Sequence, residues 1–147
     1  MKAIAAFVLA AASLAAPTLH AQDNANASAS VGAATDAAKD AATKWLAVMD
    51  QGKTAETWDA AAPMMQAAVT RDTWATVGSQ VRAPLGAVKK RTLGSASYTR
   101  TLPNAPEGEY VVIQYDTEFA NRPNAVETVV PMRLPDGSWK VSGYFIR

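Results

Sequence analysis

The chain has 147 residues, no cysteine and one histidine, His20, with 14 Lys and Arg against 13 Asp and Glu for a formal net charge of +1. Without thiols no disulfide can staple the fold and no acylated cysteine can anchor it, so neither a disulfide scaffold nor a lipoprotein is expected. Zinc and copper sites would lack their dominant ligands, and the near-neutral charge is unlike the basic footprint of a nucleic-acid binder.

Residues 1–21 read as an export signal. Lys2 supplies the positive start, Ala3–Ala16 the apolar stretch, and Leu19-His20-Ala21 a small-residue exit. The apolar stretch is too short and alanine-rich for a membrane span, which needs about 20 strongly apolar residues. The expected location is therefore the periplasm or the exterior, with no integral membrane segment after cleavage. Removal of 21 of the 147 residues leaves 126, near the commonest size for one domain. With Lys2 gone, the remaining chain carries 13 basic and 13 acidic residues, and the only imidazole leaves with His20. No metal ligand set and no cofactor are expected.

Gln22–Ala34 is mostly Asn, Ala, Ser and Gly, too poor in large apolar groups to bury a core face, and is expected to be a flexible leader. A single domain then occupies 35–147. Thr35 or Asp36 offers a cap, and Ala38, Ala41, Trp45, Val48 and Met49 recur at helical spacing, which predicts a first helix over about 36–51. Thr54 caps a second, through Ala61, that Pro63 ends or kinks, with Met64 and Met65 on a short irregular or helical piece. Thr70 caps a third, whose stripe is Trp74, Val77 and Val81, until Pro84 and Gly86 break the pattern.

From Ala87 the period changes to two. Ala87–Thr101 is a polar strand candidate. Val111, Ile113, Tyr115, Thr117 and Phe119 alternate with Tyr110, Val112, Gln114, Asp116 and Glu118, and the first, more apolar set is expected to face the helices. Asn121–Asn124 turns the chain, and Ala125–Leu134 returns with Val126, Thr128, Val130 and Met132 on one face. Pro131 has no amide to donate, which predicts an edge or a bulge there. Pro135-Asp136-Gly137 leads into a closing strand, and the short turns make the last three strands an antiparallel meander.

Helices first and strands afterwards is the order of an α+β domain: three N-terminal helices packed on a curved antiparallel sheet of about four strands. Trp74, Arg82-Ala83-Pro84-Leu85-Gly86, Arg91, Gly108-Glu109-Tyr110-Val111, Phe119-Ala120, Glu127 and the run Gly137–Arg147 resemble an exported bacterial family, domain of unknown function 4019, over about residues 38–147. The resemblance implies a cystatin-like or nuclear transport factor 2-like cone, with helices in the concavity of a bent sheet. Dimerisation through the open sheet face is a further implication. It brings no activity and no catalytic residues.

Among the 4 tryptophans, Trp45, Trp74 and Trp139 suit core packing or the lining of a cavity, while Trp58, near Pro63, Met64 and Met65, suits a pocket wall. Arg82 is expected to satisfy helix-end carbonyls or to pair with Glu127 or Asp116, and otherwise to clamp an anion; Arg91 stands in the same position. Lys89-Lys90-Arg91 reads as a solvated strand end. Tyr98, Tyr110, Tyr115 and Tyr144 are candidate hydroxyl donors, but Asp116 alternates with Tyr115 and cannot share a cavity with it without a bulge. With histidine, the commonest general base, also absent, no catalytic residue is expected. The candidate ligand contacts are Trp58, Met65, Trp74, Arg82, Tyr115 and Trp139. The expected function is a non-catalytic binding module for a small apolar ligand or a periplasmic protein. The alternatives are a toxin inhibitor or immunity partner using an edge strand or the outer sheet face with Tyr110, Gln114, Asp116 and Glu118, and a small isomerase or dehydratase of the cone fold.

Overall fold

Alanine is the strongest helix former, and no proline interrupts the chain between Leu19 and Asp50. In a computed structural model, which describes residues 19–147, α1 runs through that whole span, Leu19–Asp50. The helix thus replaces the flexible leader expected at 22–34. Residues 22–33 are exposed, Ala34 and Thr35 are half-buried and Ala38 is the first buried residue, so the turns over 22–33 pack on nothing. They propagate from the packed part, each adding one hydrogen bond per residue fixed, and Ser30 and Thr35 hydroxyls donate back to Ala27 and Val31 carbonyls, each at 2.8 Å. Most of the segment expected to be an export signal, residues 1–18, lies outside the described residues.

Three shorter helices follow: α2 (Thr54–Asp59), α3 (Pro63–Ala68) and α4 (Arg71–Arg82), then a 3-10 turn at Ala83–Leu85. The described residues therefore hold four α-helices, one more than expected, because Pro63 opens α3 as its first residue, where its missing amide costs nothing. Thr70 caps α4 as expected, accepting from Thr73 N at 3.3 Å. Thr54 does not cap α2; it is buried inside it.

The sheet is β1 (Val88–Thr99), β2 (Tyr110–Phe119), β3 (Arg122–Arg133) and β4 (Trp139–Ile146), antiparallel throughout in the order β1-β2-β3-β4. The helices precede it, as in an α+β domain. α1 lies against all four strands. Ala38, Ala42, Trp45, Leu46 and Met49 on α1 meet Val111, Ile113, Tyr115, Val129 and Val141 on the sheet to form the core. Among the described residues no helix is long and apolar enough to cross a membrane.

β2 buries Val111, Ile113, Tyr115, Thr117 and Phe119, the set its alternation predicts, and leaves Asp116 and Glu118 exposed. Tyr110, expected on the outer face, is instead buried, its hydroxyl donating to the Pro106 carbonyl at 2.7 Å. The β1–β2 loop covers it. On β3 the core-facing set is Ala125, Glu127 and Val129 rather than the more apolar Val126, Thr128, Val130 and Met132. Pro131 lies on an inner strand, and the register against β4 shifts between Val130 and Pro131, so of the edge and bulge alternatives the bulge is the one found.

Candidate functional site

A carboxylate on the core face of a strand needs compensation, since an unpaired buried charge is strongly disfavoured. Glu127 is fully buried. Its Oε1 accepts from Arg82 at 3.1 Å, Arg91 at 3.2 Å and the Tyr144 hydroxyl at 2.5 Å, and its Oε2 accepts from Arg91 Nε and the Thr117 hydroxyl, each at 2.6 Å. Asp50, the last residue of α1, covers the same two guanidiniums: Arg82 donates to it at 2.7 Å, and Arg91 at 2.7 and 3.0 Å. A carboxylate at a helix C-terminus is disfavoured by the helix dipole, and the arginines offset this. Arg82 also donates to the Tyr144 oxygen at 2.8 Å and stacks over Phe119 at 4.9 Å.

Burial alone would raise the Asp50 carboxyl, but hydrogen bonds from Arg91 and Arg82 outweigh it and hold Asp50 below the usual carboxylate range. Burial, then the negative charge of Glu127, pushes the Tyr144 phenol well above its ordinary value. Burial opposes the Arg91 charge, and Asp50 and Glu127 more than restore it. Among the described residues every buried side-chain nitrogen and oxygen has a hydrogen-bond partner.

Beside this cluster Thr57 ties the tryptophans together. Its carbonyl accepts from Trp45 Nε1 at 2.8 Å, its hydroxyl accepts from Trp74 Nε1 at 2.9 Å, and that hydroxyl donates to the Thr54 carbonyl at 2.6 Å. Trp45 packs between Trp74 and Tyr144, with centroids at 6.2 and 5.2 Å. Two hollows flank Arg82. One, about 210 Å³, lies between α4 and β4, with Trp74, Gly78 and Val81 opposite Tyr144, Phe145 and Ile146. The other, about 450 Å³, opens beside Asp50, Gly52, Ser79 and Gly86.

Residues 41–144 match the model of a protein family of unknown function, DUF4019. The chain belongs to this family. No curated protein and no solved structure matches it. The span matched to the DUF4019 family contains Asp50, Arg82, Arg91, Thr117, Glu127 and Tyr144, so the whole charge cluster falls inside the family domain.

Of the six candidate contacts, this DUF4019 domain brings Trp74 and Arg82 together on the smaller hollow. The other four lie apart. Trp58 is half-buried and donates from Nε1 to the Val69 carbonyl at 2.8 Å, which fastens α2 to the end of α3. Met65 and Tyr115 are core residues. Trp139 lines a separate hollow with Trp45, Val48 and Lys140. The pairing of Arg82 with Glu127, one of the alternatives the residues suggested, is present, and Asp116 pairs with neither arginine. Asp50 escaped the sequence reading: it stands on the polar face of a predicted helix, and only its distance contacts reveal it. The exposed Val81 and Phe145 also escaped it, since both fit an apolar stripe or strand face.

Proposed function

We propose that the protein is an exported, non-catalytic binding module whose binding surface is the hollow between α4 and β4. One observation carries this reading. Val77, Val81 and Phe145 are 48%, 47% and 64% exposed, and Val81 and Phe145 edge a hollow walled by Trp74 and Tyr144. Val77 stands one helical turn before Val81. Grouped apolar exposure beside a concave wall is the usual mark of a contact surface. The nearby charges are already committed: the Glu127 oxygens accept five hydrogen bonds, and the Tyr144 proton is held tightly. That favours a rigid wall over a proton-transfer centre.

Export is supported by Lys2, the Ala3–Ala16 stretch and the Leu19–Ala21 exit. Mass spectrometry of protein recovered from the periplasm should give an N-terminus at Gln22; an intact Met1 form would overturn this part. The cone fold is supported by α1 lying against all four strands and by register breaks in every strand pair, which let a sheet bend around helices.

The binding reading is tested on purified protein by solvent extraction with mass spectrometry and by thermal melting against a metabolite panel. A ligand raises the melting temperature by mass action, and Val81→Glu should abolish that rise. Empty extracts with no shift from any class of compound, peptides included, would sink it.

A further inference from the structure

β4 is an outer strand of the sheet, and only part of its free edge is covered. Near the strand start Ala62 N donates to the Val141 carbonyl at 2.7 Å, which closes the edge there. At the far end Arg147 and Val126 exchange both backbone bonds, at 2.8 and 3.1 Å. Phe145 stands opposite Thr128, two residues along each chain, so Phe145 and Arg147 direct their peptide groups toward β3. Antiparallel alternation then turns the N–H and C=O of Tyr144 and Ile146 away from the sheet. Among the described residues no backbone group from outside the sheet bonds to either.

Those groups open on the hollow of about 210 Å³ whose far wall is α4. A helix standing off from a free strand edge leaves a slot for one more strand. The slot is apolar on both sides. Val81 lies on the helix wall, and the Phe145 ring lies over Gly143, where an added β-carbon would come within 3.3 Å of it. Arg82 is the one charged side chain lining the slot and its charge is already met by Asp50 and Glu127, so the cation left to pair with an occupant is the exposed Arg147, which follows Ile146. The occupant should therefore bring apolar side chains and negative charge.

We propose that the slot receives an extended peptide segment of a partner protein, apolar at its centre and carrying a carboxylate, which adds to the sheet of four as a further strand on β4. Tyr144 and Ile146 supply four main-chain groups for pairing, over about 7 Å at the usual rise of a strand. This rests on the binding-module reading of the same hollow and names its partner class.

The test starts from a displayed library of random eight-residue segments with free carboxyl termini, selected against the full exported protein. A family with an apolar centre and an acidic or terminal carboxylate should be enriched. A synthetic peptide of that family should bind roughly tenfold or more weakly to Ile146→Pro, which removes one outward N–H and leaves the ladder to β3 intact. It should also weaken with Val81→Glu. Methylating the peptide's pairing nitrogens should weaken binding to the unaltered protein, a readout that stands even if Ile146→Pro does not fold. Amide exchange at Tyr144 and Ile146 should slow only with peptide bound. Absence of any enriched family, or peptides indifferent to both Ile146→Pro and methylation, would overturn the proposal. So would a sedimenting dimer that protects those two amides without peptide, since the occupant would then be a second copy. An apolar metabolite that stabilises the protein but not Val81→Glu, with no peptide enriched, overturns the strand proposal and leaves the binding module standing.

Discussion

Arg91 Nε donates to Glu127 Oε2 at 2.6 Å, a bond that reaches from β1 over β2 to β3. Thr117, the residue opposite Arg91 on β2, donates to the same oxygen. Asp50 and Arg82 then join α1 and α4 to this point. With Tyr144 of β4 donating to its other oxygen, one inward glutamate thereby fixes four strands and two helices relative to one another.

Exchange of Glu127 for Gln keeps its volume and removes its charge. Two guanidiniums, on side chains only 11% and 16% exposed, then lose their deepest counter-charge. Breaking a buried pair from one side costs about 3–5 kcal/mol, and urea unfolding of Glu127→Gln should show a loss of that size. Replacing Arg82, Arg91 and Glu127 together by Met, Leu and Leu should recover most of it, because Asp50 can turn to water. A single variant within about 1 kcal/mol of the parent would mean that the cluster is solvated in solution.

Stability should fall at both ends of the pH scale for separate reasons. Asp50 has a depressed folded pKa, so its contribution is full above the ordinary carboxyl range and is lost as pH falls through the folded value. Tyr144 has a raised one, so its contribution is full below the ordinary phenol value of about 10 and is lost as pH rises beyond it. In urea midpoints measured against pH, Asp50→Asn should flatten the acid limb and leave the alkaline limb. Tyr144→Phe should do the reverse. Identical slopes in parent and variants would refute the assignment.

The meander of the last three strands and the inward face of β2 were legible because short turns and a period of two survive without any long-range information. β3 was not, because its apolar residues Val126, Val130 and Met132 lie on the opposite set from Glu127. The partners that let Glu127 face inward stand 36 and 45 residues away in sequence, at Arg91 and Arg82. Local pattern cannot weigh such contacts. Tyr110 was misplaced for a similar reason: Pro106, which accepts its hydroxyl, belongs to a loop whose fold no alternation records. Trp74 and Arg82, which line the proposed binding hollow, stood out in the sequence as a tryptophan stripe ending at a proline-bounded arginine. The exposed β4 edge was not, since coverage of an edge is a property of the packed chain.

The early turns of α1 show where composition misleads in the other direction. Residues 22–33 are exposed along their whole length, and Ala38 is the first to be buried. A helix extension that packs on nothing adds little beyond its own marginal propensity. Deleting 22–33 should therefore change the free energy of unfolding by less than about 0.5 kcal/mol while removing helical signal from circular dichroism. A larger loss would show that the extension docks on something in solution.

Gly78 reports on how tightly α4 meets α2. Alanine normally stabilises a helix interior relative to glycine by about 1 kcal/mol, but a β-carbon at 78 would lie 2.4 Å from Thr54 Cγ2. The overlap cannot relax easily, because the Thr54 hydroxyl accepts from Ser79 at 3.2 Å and Thr54 is itself buried. Gly78→Ala should therefore destabilise by about 1–3 kcal/mol, the usual cost of overpacking. Thr54→Ser removes the offending methyl and keeps the hydroxyl, so the double variant should regain the loss and then gain from alanine's propensity. A double-mutant cycle in urea should give a coupling of at least about 1 kcal/mol; additive effects would mean that α2 and α4 do not touch there.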